Sequence, residues 1–365
     1  MKVAIFLISN GFSGAERVAY NLINSLRKLN IEVQLILNNE ILKYYLTLKD
    51  KRIKINNLGN CLGNNLLYNR IKIIKPKNKL KEILKREKFD IISTHMIISP
   101  EFYKIVFSNK IPHILTFHGS EIKSFIESKR ILYKILFKPI LSSVFLKSNL
   151  LISVSHHQIQ NLPEKYKKKT VVIPNGVDSK IFKPIKSIKQ KKNIILFIGK
   201  FVELKGIREI LSVAKQLPQY EFWFVGQGPL AKEIKGTNIN NLGFKSTEGL
   251  VKLYNRATIC IAPSHRESFG LVGLEAMSCS RSVIATPLGF SEYIKNGKDG
   301  IIIPARDEKA LKDAIIDLMK NPAKRKRIEK NARKKALKYS WDKIAKQYLK
   351  VFKEVIKENK KQNEQ

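Results

Sequence analysis

The chain has 365 residues, of which 44% are hydrophobic, and 69 Lys and Arg against 30 Asp and Glu give it a formal net charge of +39. That length exceeds one ordinary core and suits two domains of about 150 residues each. No run of about 18 uncharged apolar residues is present, which excludes a membrane-spanning helix.

The opening Met1-Lys2-Val3-Ala4-Ile5-Phe6-Leu7-Ile8-Ser9 is short for a secretory leader and runs into Asn10-Gly11-Phe12-Ser13-Gly14. It reads as a first buried strand entering a glycine loop. Strands are expected over residues 3–8, 33–37, 91–93, 113–116, 151–154 and 171–173. Helical patterns at 16–29 and 79–88 lie between them. Such alternation predicts a doubly wound, mostly parallel sheet. Residues 182–192 are polar, Lys-rich and hold Pro184, so 183–192 reads as a linker between domains at 1–182 and 193–340. A second alternation follows, with strands at 193–199, 221–225, 259–262, 282–286 and 300–303 and helices at 206–215, 247–255, 270–278 and 308–319. Residues 341–365 form a separate C-terminal element: one amphipathic basic helix over 341–358, with a polar end at 357–365 that is expected to fray.

Three cysteines, Cys61, Cys260 and Cys279, show no metal-ligand spacing, which suits reduced structural thiols in a cytoplasmic protein. The charge fits a nucleic-acid partner, an anionic membrane or phosphate-bearing substrate, or a composition biased toward Lys, Ile and Asn. No nucleic-acid motif is present and the basic residues are spread along the chain, so no nucleic-acid partner is expected.

The segment Pro263-Ser-His-Arg-Glu-Ser-Phe-Gly-Leu-Val-Gly-Leu-Glu-Ala-Met277 carries two carboxylates, Glu267 and Glu275, eight positions apart. It reads as a loop turning into a helix at Phe269-Gly270. The amides of Ser268, Phe269, Gly270 and Leu271 then stand at a helix N-terminus, where no intrahelical acceptor reaches them, and suit a diphosphate. Glu267 lies just before that helix. Glu275, further along, is a candidate acceptor for vicinal ribose hydroxyls.

This segment resembles the E-x7-E signature of glycosyltransferase family 4. Further matches follow in order: Ser13-Gly14 with Glu16-Arg17, Thr116-Phe-His-Gly-Ser-Glu121, Ile173-Pro-Asn-Gly-Val-Asp178, Phe197-Ile-Gly-Lys-Phe-Val-Glu-Leu-Lys-Gly206, Trp223-Phe-Val-Gly-Gln-Gly228, and Ala285-Thr-Pro-Leu-Gly289 followed by Glu292. The resemblance implies the GT-B fold: two Rossmann-like domains facing a cleft, with the C-terminal helix returning to the first. It implies a retaining, metal-independent hexosyltransferase that takes a nucleotide-sugar donor on the second domain and a glycan or lipid-linked acceptor on the first. An enzyme of cell-surface glycan biosynthesis follows, cytoplasmic or peripheral at the inner face of the membrane.

On that frame Lys200 and Lys205 grip the pyrophosphate and neutralise charge on the leaving diphosphate. Lys200 stands where the family has Arg and lacks its bidentate fork. Gly14 opens a helix N-terminus toward the donor. His118 hydrogen-bonds the donor sugar, Glu267 is set against that sugar, and His95, ending a strand, is a candidate for the acceptor side. His156 and His157 follow Ser155, an expected N-cap, and read as structural. Ser280-Arg281-Ser282 replaces the family's G-x-P and touches turn geometry behind the site. No His, Cys and carboxylate cluster suggests a metal, and no cofactor is expected. The oily basic stretch 125–151 fits either a lipid-docking helix or one packed inside the first domain with its lysines snorkelling. Two other functions fit the same residues: a nucleotide-sugar epimerase of the same fold, and a non-catalytic basic binding protein. The ordered motifs count against the first, and the retained Glu267, Glu275 and Lys205 against the second.

Overall fold

The computed structural model describes residues 1–8, 14–42, 53–59, 77–95, 100–119, 138–160 and 162–365. Ser13, Cys61, Glu121 and the 125–137 part of the oily basic stretch lie outside them. The chain folds as two units, Met1–Pro174 with Asp342–Gln365, and Asn175–Trp341.

The first unit is built on seven parallel strands, β1 (Lys2–Leu7), β2 (Glu32–Leu37), β3 (Lys54–Asn57), β4 (Ile91–His95), β5 (His113–Phe117), β6 (Leu150–Ser153) and β7 (Thr170–Val172). Their spatial order is β3-β2-β1-β4-β5-β6-β7. β1 is an interior strand, with Ile5 opposite Leu35 on one side and Ser93 on the other. A strand covered on both faces must be apolar at nearly every position, and Val3 through Leu7 are all buried. The helix Gly14–Arg27 turns Val18, Leu22 and Leu26 inward at helical spacing.

At the amino ends of these strands the buried Glu87 carboxylate accepts from Lys54 Nζ at 2.9 Å, Gln34 Nε2 at 2.7 Å, Lys2 Nζ at 2.9 Å and Arg86 Nε at 2.9 Å. Those donors, Lys54 foremost, hold it well below the usual carboxylate range.

From Asp342 on, the C-terminal helix Trp341–Glu364 belongs to this first unit and buries Ile344, Ala345, Tyr348, Phe352 and Val355. The polar end does not fray at 357. Helix-forming Lys, Glu and Gln carry the helix to Glu364, and Asn359 Nδ2 donates to Lys110 O at 3.2 Å.

The second unit holds six parallel strands, β8 (Ile194–Ile198), β9 (Glu221–Val225), β10 (Ile239–Asn241), β11 (Ile259–Ala262), β12 (Ser282–Ala285) and β13 (Ile301–Ile302). The order β10-β9-β8-β11-β12-β13 repeats the 3-2-1-4-5-6 Rossmann arrangement. Phe197, Phe201, Phe222 and Phe224 fill one core.

The boundary falls at Pro174/Asn175, before the expected 182/183. The 183–192 stretch has a linker's composition but not a linker's freedom. Phe182 is buried edge-on against Tyr254, Asn255 Oδ1 accepts from Ile185 N at 2.8 Å, and Asn255 Nδ2 donates to Lys183 O at 3.0 Å. The second unit thus satisfies this segment's backbone and absorbs it. Ser280, in the family's glycine position, sits at φ +57, a left-handed conformation that glycine adopts more readily.

Candidate active site

In the second sheet the chain reverses its winding between β8 and β11, and ligands of such sheets bind outside the carboxyl ends there. The two loops that leave those ends, 199–206 and 263–270, carry Lys200, Lys205 and Glu267. Lys205 Nζ donates to Glu267 Oε2 at 2.5 Å, and both side chains are partly open to solvent. Lys200 is exposed on the same loop.

Two glycines let these loops close up. Gly206 sits at φ +72, and a Cβ there would lie 2.3 Å from Pro263 O. Gly289, at φ +78 in the loop after β12, would place a Cβ 2.9 Å from both Glu267 O and Phe269 N. Neither position admits a side chain without moving the Glu267 loop.

The helix that carries Glu275 spans Leu271–Ser278 and begins later than Phe269, because Gly270 occupies its N-cap at φ +78. This moves the open amides toward Leu271. Ser268, expected among the donors to an anion, instead directs its N–H to Glu267 Oε1 at 3.2 Å. Phe269 is a core residue as well, its ring 5.2 Å from Tyr293 and 6.2 Å from Tyr339. Tyr293 Oη donates to Gly270 O at 2.5 Å and pins the turn. Glu275 is buried, and its Oε2 accepts from Tyr254 Oη at 3.0 Å. Burial first, and the Glu275 charge second, push the Tyr254 phenol well above its ordinary range, so it stays a donor.

Sequence reasoning missed a third group on these loops. His265, buried two residues before Glu267, places Nε2 2.5 Å from Glu209 Oε1, while Arg306 Nε lies 3.4 Å from its Nδ1. Its position inside the motif segment was the one available signal; Arg306 gave none.

In the first unit the structure brings together two residues assigned to different sides of the reaction. His95 Nδ1 and His118 Nε2 stand 3.2 Å apart, with rings stacked at 5.4 Å and Tyr348 stacked 6.3 Å from His95. Burial, with His118 adding to it, draws His95 well below the ordinary imidazole range, and burial takes His118 down to about 4. Both rings are therefore neutral at pH 7, and one N–H lies between them. His95 Nε2 has no hydrogen-bond partner among the described residues.

Gly14 begins the helix Gly14–Arg27, and no described atom lies within 4 Å of where a Cβ on it would stand. His113, by contrast, is a core residue, held by Thr94 Oγ1 and Ser148 Oγ at 3.0 Å each. Ser155 holds the N-cap position before the exposed His156 and His157 but makes no capping bond. Among the described residues no group of three or more His, Cys, Asp and Glu is placed to hold a metal, and no helix is long and apolar enough to cross a membrane.

Two Rossmann-ordered units, with cations and a carboxylate gathered at the second unit's switch point, define a GT-B glycosyltransferase. The model of the glycosyl transferases group 1 family matches residues 178–335, and that of Glycosyltransferase Family 4 matches residues 12–180. An uncharacterized glycosyltransferase of Methanocaldococcus jannaschii is 30% identical over 285 residues, 75% of this chain and 78% of the relative. The chain belongs to glycosyltransferase family 4. It is also 26% identical, over 76% of its length and 77% of the relative's, to a phosphatidyl-myo-inositol mannosyltransferase of Mycobacterium tuberculosis. Among solved structures, a glycosyltransferase of Rickettsia africae superposes with a TM-score of 0.79 at 22% identity, covering 98% of each chain. Anabaena HepE in complex with UDP superposes at 0.77 with 18% identity, covering 97% of this chain and 100% of that one.

Proposed function

We propose that this glycosyltransferase is a retaining hexosyltransferase that moves a sugar from a nucleotide-sugar to a glycan or lipid-linked acceptor in cell-surface glycan synthesis. The observation that carries the reading is the pairing of Lys205 with Glu267 at the β8/β11 switch, beside the opening of the Leu271–Ser278 helix. A diphosphate placed there meets Lys200, Lys205 and the first helical amides. The bond from the sugar's anomeric carbon to the diphosphate breaks, and the acceptor oxygen bonds that carbon on the same face. Negative charge then grows on the departing nucleoside diphosphate, where fixed cations act most strongly. Glu267 lies against the sugar, Glu275 takes the ribose hydroxyls, and Gly14 opens toward the donor. His118 and His95 serve the sugar and acceptor sides on the first unit. Side-chain cations and helix amides do the work that a metal does elsewhere, so neither metal nor cofactor is needed. The mannosyltransferase relative's lipid-inositol substrate and the UDP in the HepE complex support a nucleotide donor and a membrane-borne acceptor. Placement is cytoplasmic, peripheral at the inner face of the membrane.

The test is release of nucleoside diphosphate from a panel of UDP-, GDP- and ADP-hexoses, with and without chelator. Transfer with retention of anomeric configuration in chelator is expected. Release restored only by magnesium or manganese refutes the metal-free part, and inversion refutes the retaining part.

A further inference from the structure

We propose that His265, held by Glu209 and Arg306, is a positioning residue that sets the reach of the Lys205–Glu267 pair. The inference rests on the reaction assigned above.

The hydrogen-bond chemistry fixes the state of the ring. Arginine is only a donor, so the Arg306 Nε–H can bond His265 Nδ1 at 3.4 Å only if that nitrogen carries a lone pair. A neutral ring bare at Nδ1 has its proton on Nε2, which faces the Glu209 carboxylate at 2.5 Å. The imidazole therefore receives on one side and donates on the other, and it cannot turn over without losing both bonds.

The backbone of the same residue joins the two catalytic loops. His265 N donates to Leu204 O at 2.9 Å, and Leu204 is the residue before Lys205. Ser264 O accepts from Thr286 Oγ1 at 2.6 Å, tying in the loop after β12. His265 thus anchors the helix Ile207–Gln216 through Glu209, the segment after β13 through Arg306, and the Lys205 loop through Leu204.

A second feature is independent of the ring. Arg306 sits at φ +62, a conformation that costs a residue with a Cβ and that persists where surroundings hold it. Its guanidinium lies against His265 Nδ1. The side-chain hydrogen bonds of the Glu209–His265–Arg306 row run within the row, and none of its three residues is among the groups assigned to the diphosphate. The row acts by holding the loops, where a displacement near 1 Å costs on the order of 100-fold in rate.

The experiment compares His265→Gln, whose amide can both donate and accept, with His265→Leu, which can do neither. The readout is nucleoside diphosphate release from whichever hexose donor of the panel the wild type turns over. His265→Leu is expected to lose about 10- to 100-fold in kcat with donor KM within about threefold, and His265→Gln to recover most of that loss. Arg306→Gln, at an exposed position that does not threaten folding, is expected to lose about three- to tenfold in kcat. 15N NMR of the wild-type histidines is expected to show His265 protonated at Nε2 and bare at Nδ1. The inference is overturned if His265→Leu keeps kcat within twofold of wild type, or if Gln and Leu variants fall together in proportion to their melting temperatures. It is equally overturned by an unchanged Arg306→Gln or by the opposite tautomer. No release by the wild type from any donor removes the reaction and this inference together; normal wild-type release with unaffected variants removes the inference alone.

Discussion

Lys205 and Glu267 are 62 positions apart in sequence and 2.5 Å apart in space, one on each flank of the β8/β11 switch. The pair is partly exposed, so its own contribution to stability is about 0–1 kcal/mol, and its removal tests chemistry more than folding. Lys205→Ala is expected to lower kcat by about 100- to 1000-fold, the cost of losing one preorganised charge partner of a transition state. Donor KM should rise far less, because charge on the diphosphate grows only as the glycosidic bond breaks. Steady-state kinetics check this; a raised KM at constant kcat makes Lys205 a uniform binder.

Glu275 is buried with the Tyr254 phenol on one of its oxygens. Glu275→Ala is expected to weaken donor binding by about 1.5–3 kcal/mol, the range for a charged hydrogen bond. Tyr254→Phe should cost about 0.5–1.5 kcal/mol in stability with a smaller effect on donor affinity, because it orients the carboxylate without replacing it. Calorimetry with UDP measures both. Equal affinities in wild type and a folded Glu275→Ala variant rule out the ribose role.

The first unit stores a pH dependence. Burial, and Lys169 after it, takes His113 down to about 3, burial takes His118 to about 4, and His95 is lowered in the same sense. The unfolded chain binds a proton at each near pH 6.5, while the folded unit does so only at lower pH. Stability from these groups is therefore complete above about pH 6.5 and is lost as pH falls toward the folded values, at about 1.4 kcal/mol per pH unit for each proton. Glu87 adds a second loss below its unfolded value near 4.5, since its folded value is lower still. Urea midpoints of the first unit should fall steadily from pH 7 to pH 5. His113→Gln should flatten that slope, and Glu87→Gln should lower stability at pH 7 by about 1–3 kcal/mol while flattening the limb below pH 4.5. A midpoint constant between pH 7 and 5 contradicts the histidine part.

Much of this fold is legible in the sequence because buried parallel strands are nearly pure apolar runs; β9 and β11 occupy residues 221–225 and 259–262 as read. Missed elements lack that signal. β3 reads Lys-Ile-Asn-Asn and β10 Ile-Asn-Asn, each with a single apolar residue. The helix Pro322–Ala336 buries only Ile328, Ala332 and Ala336, so its start was marked by Pro322 alone. At the site, residues with fixed spacing are readable, and side-chain geometry is not. Nothing in the spacing of Glu209, His265 and Arg306 places them in one row, because each follows a different strand, β8, β11 and β13. Nor does spacing show that Ser268 spends its amide on Glu267.

The charge of +39 includes ordered rows of exposed lysines: Lys326, Lys330 and Lys334 at successive turns of the helix Pro322–Ala336, and Lys346, Lys350, Lys353 and Lys357 along the C-terminal helix; the first is the row expected to dock. A lysine close to an anionic bilayer contributes about 1 kcal/mol, fading within about 8 Å at physiological salt. Three in a row therefore supply about 3 kcal/mol, enough for reversible docking without the rest of the charge. The protein is expected to sediment with vesicles rich in phosphatidylserine or phosphatidylglycerol at low salt, to leave them near 0.5 M salt, and to ignore neutral vesicles. Replacing Lys326, Lys330 and Lys334 with Gln should weaken binding by about two orders of magnitude, while leaving nucleoside diphosphate release from a soluble donor unchanged, since all three lie outside the proposed donor site. Binding that survives the triple replacement assigns attraction to the charge spread over the whole surface. Protein that stays in the supernatant with anionic vesicles makes the charge a matter of composition and directs the search for an acceptor to soluble glycans.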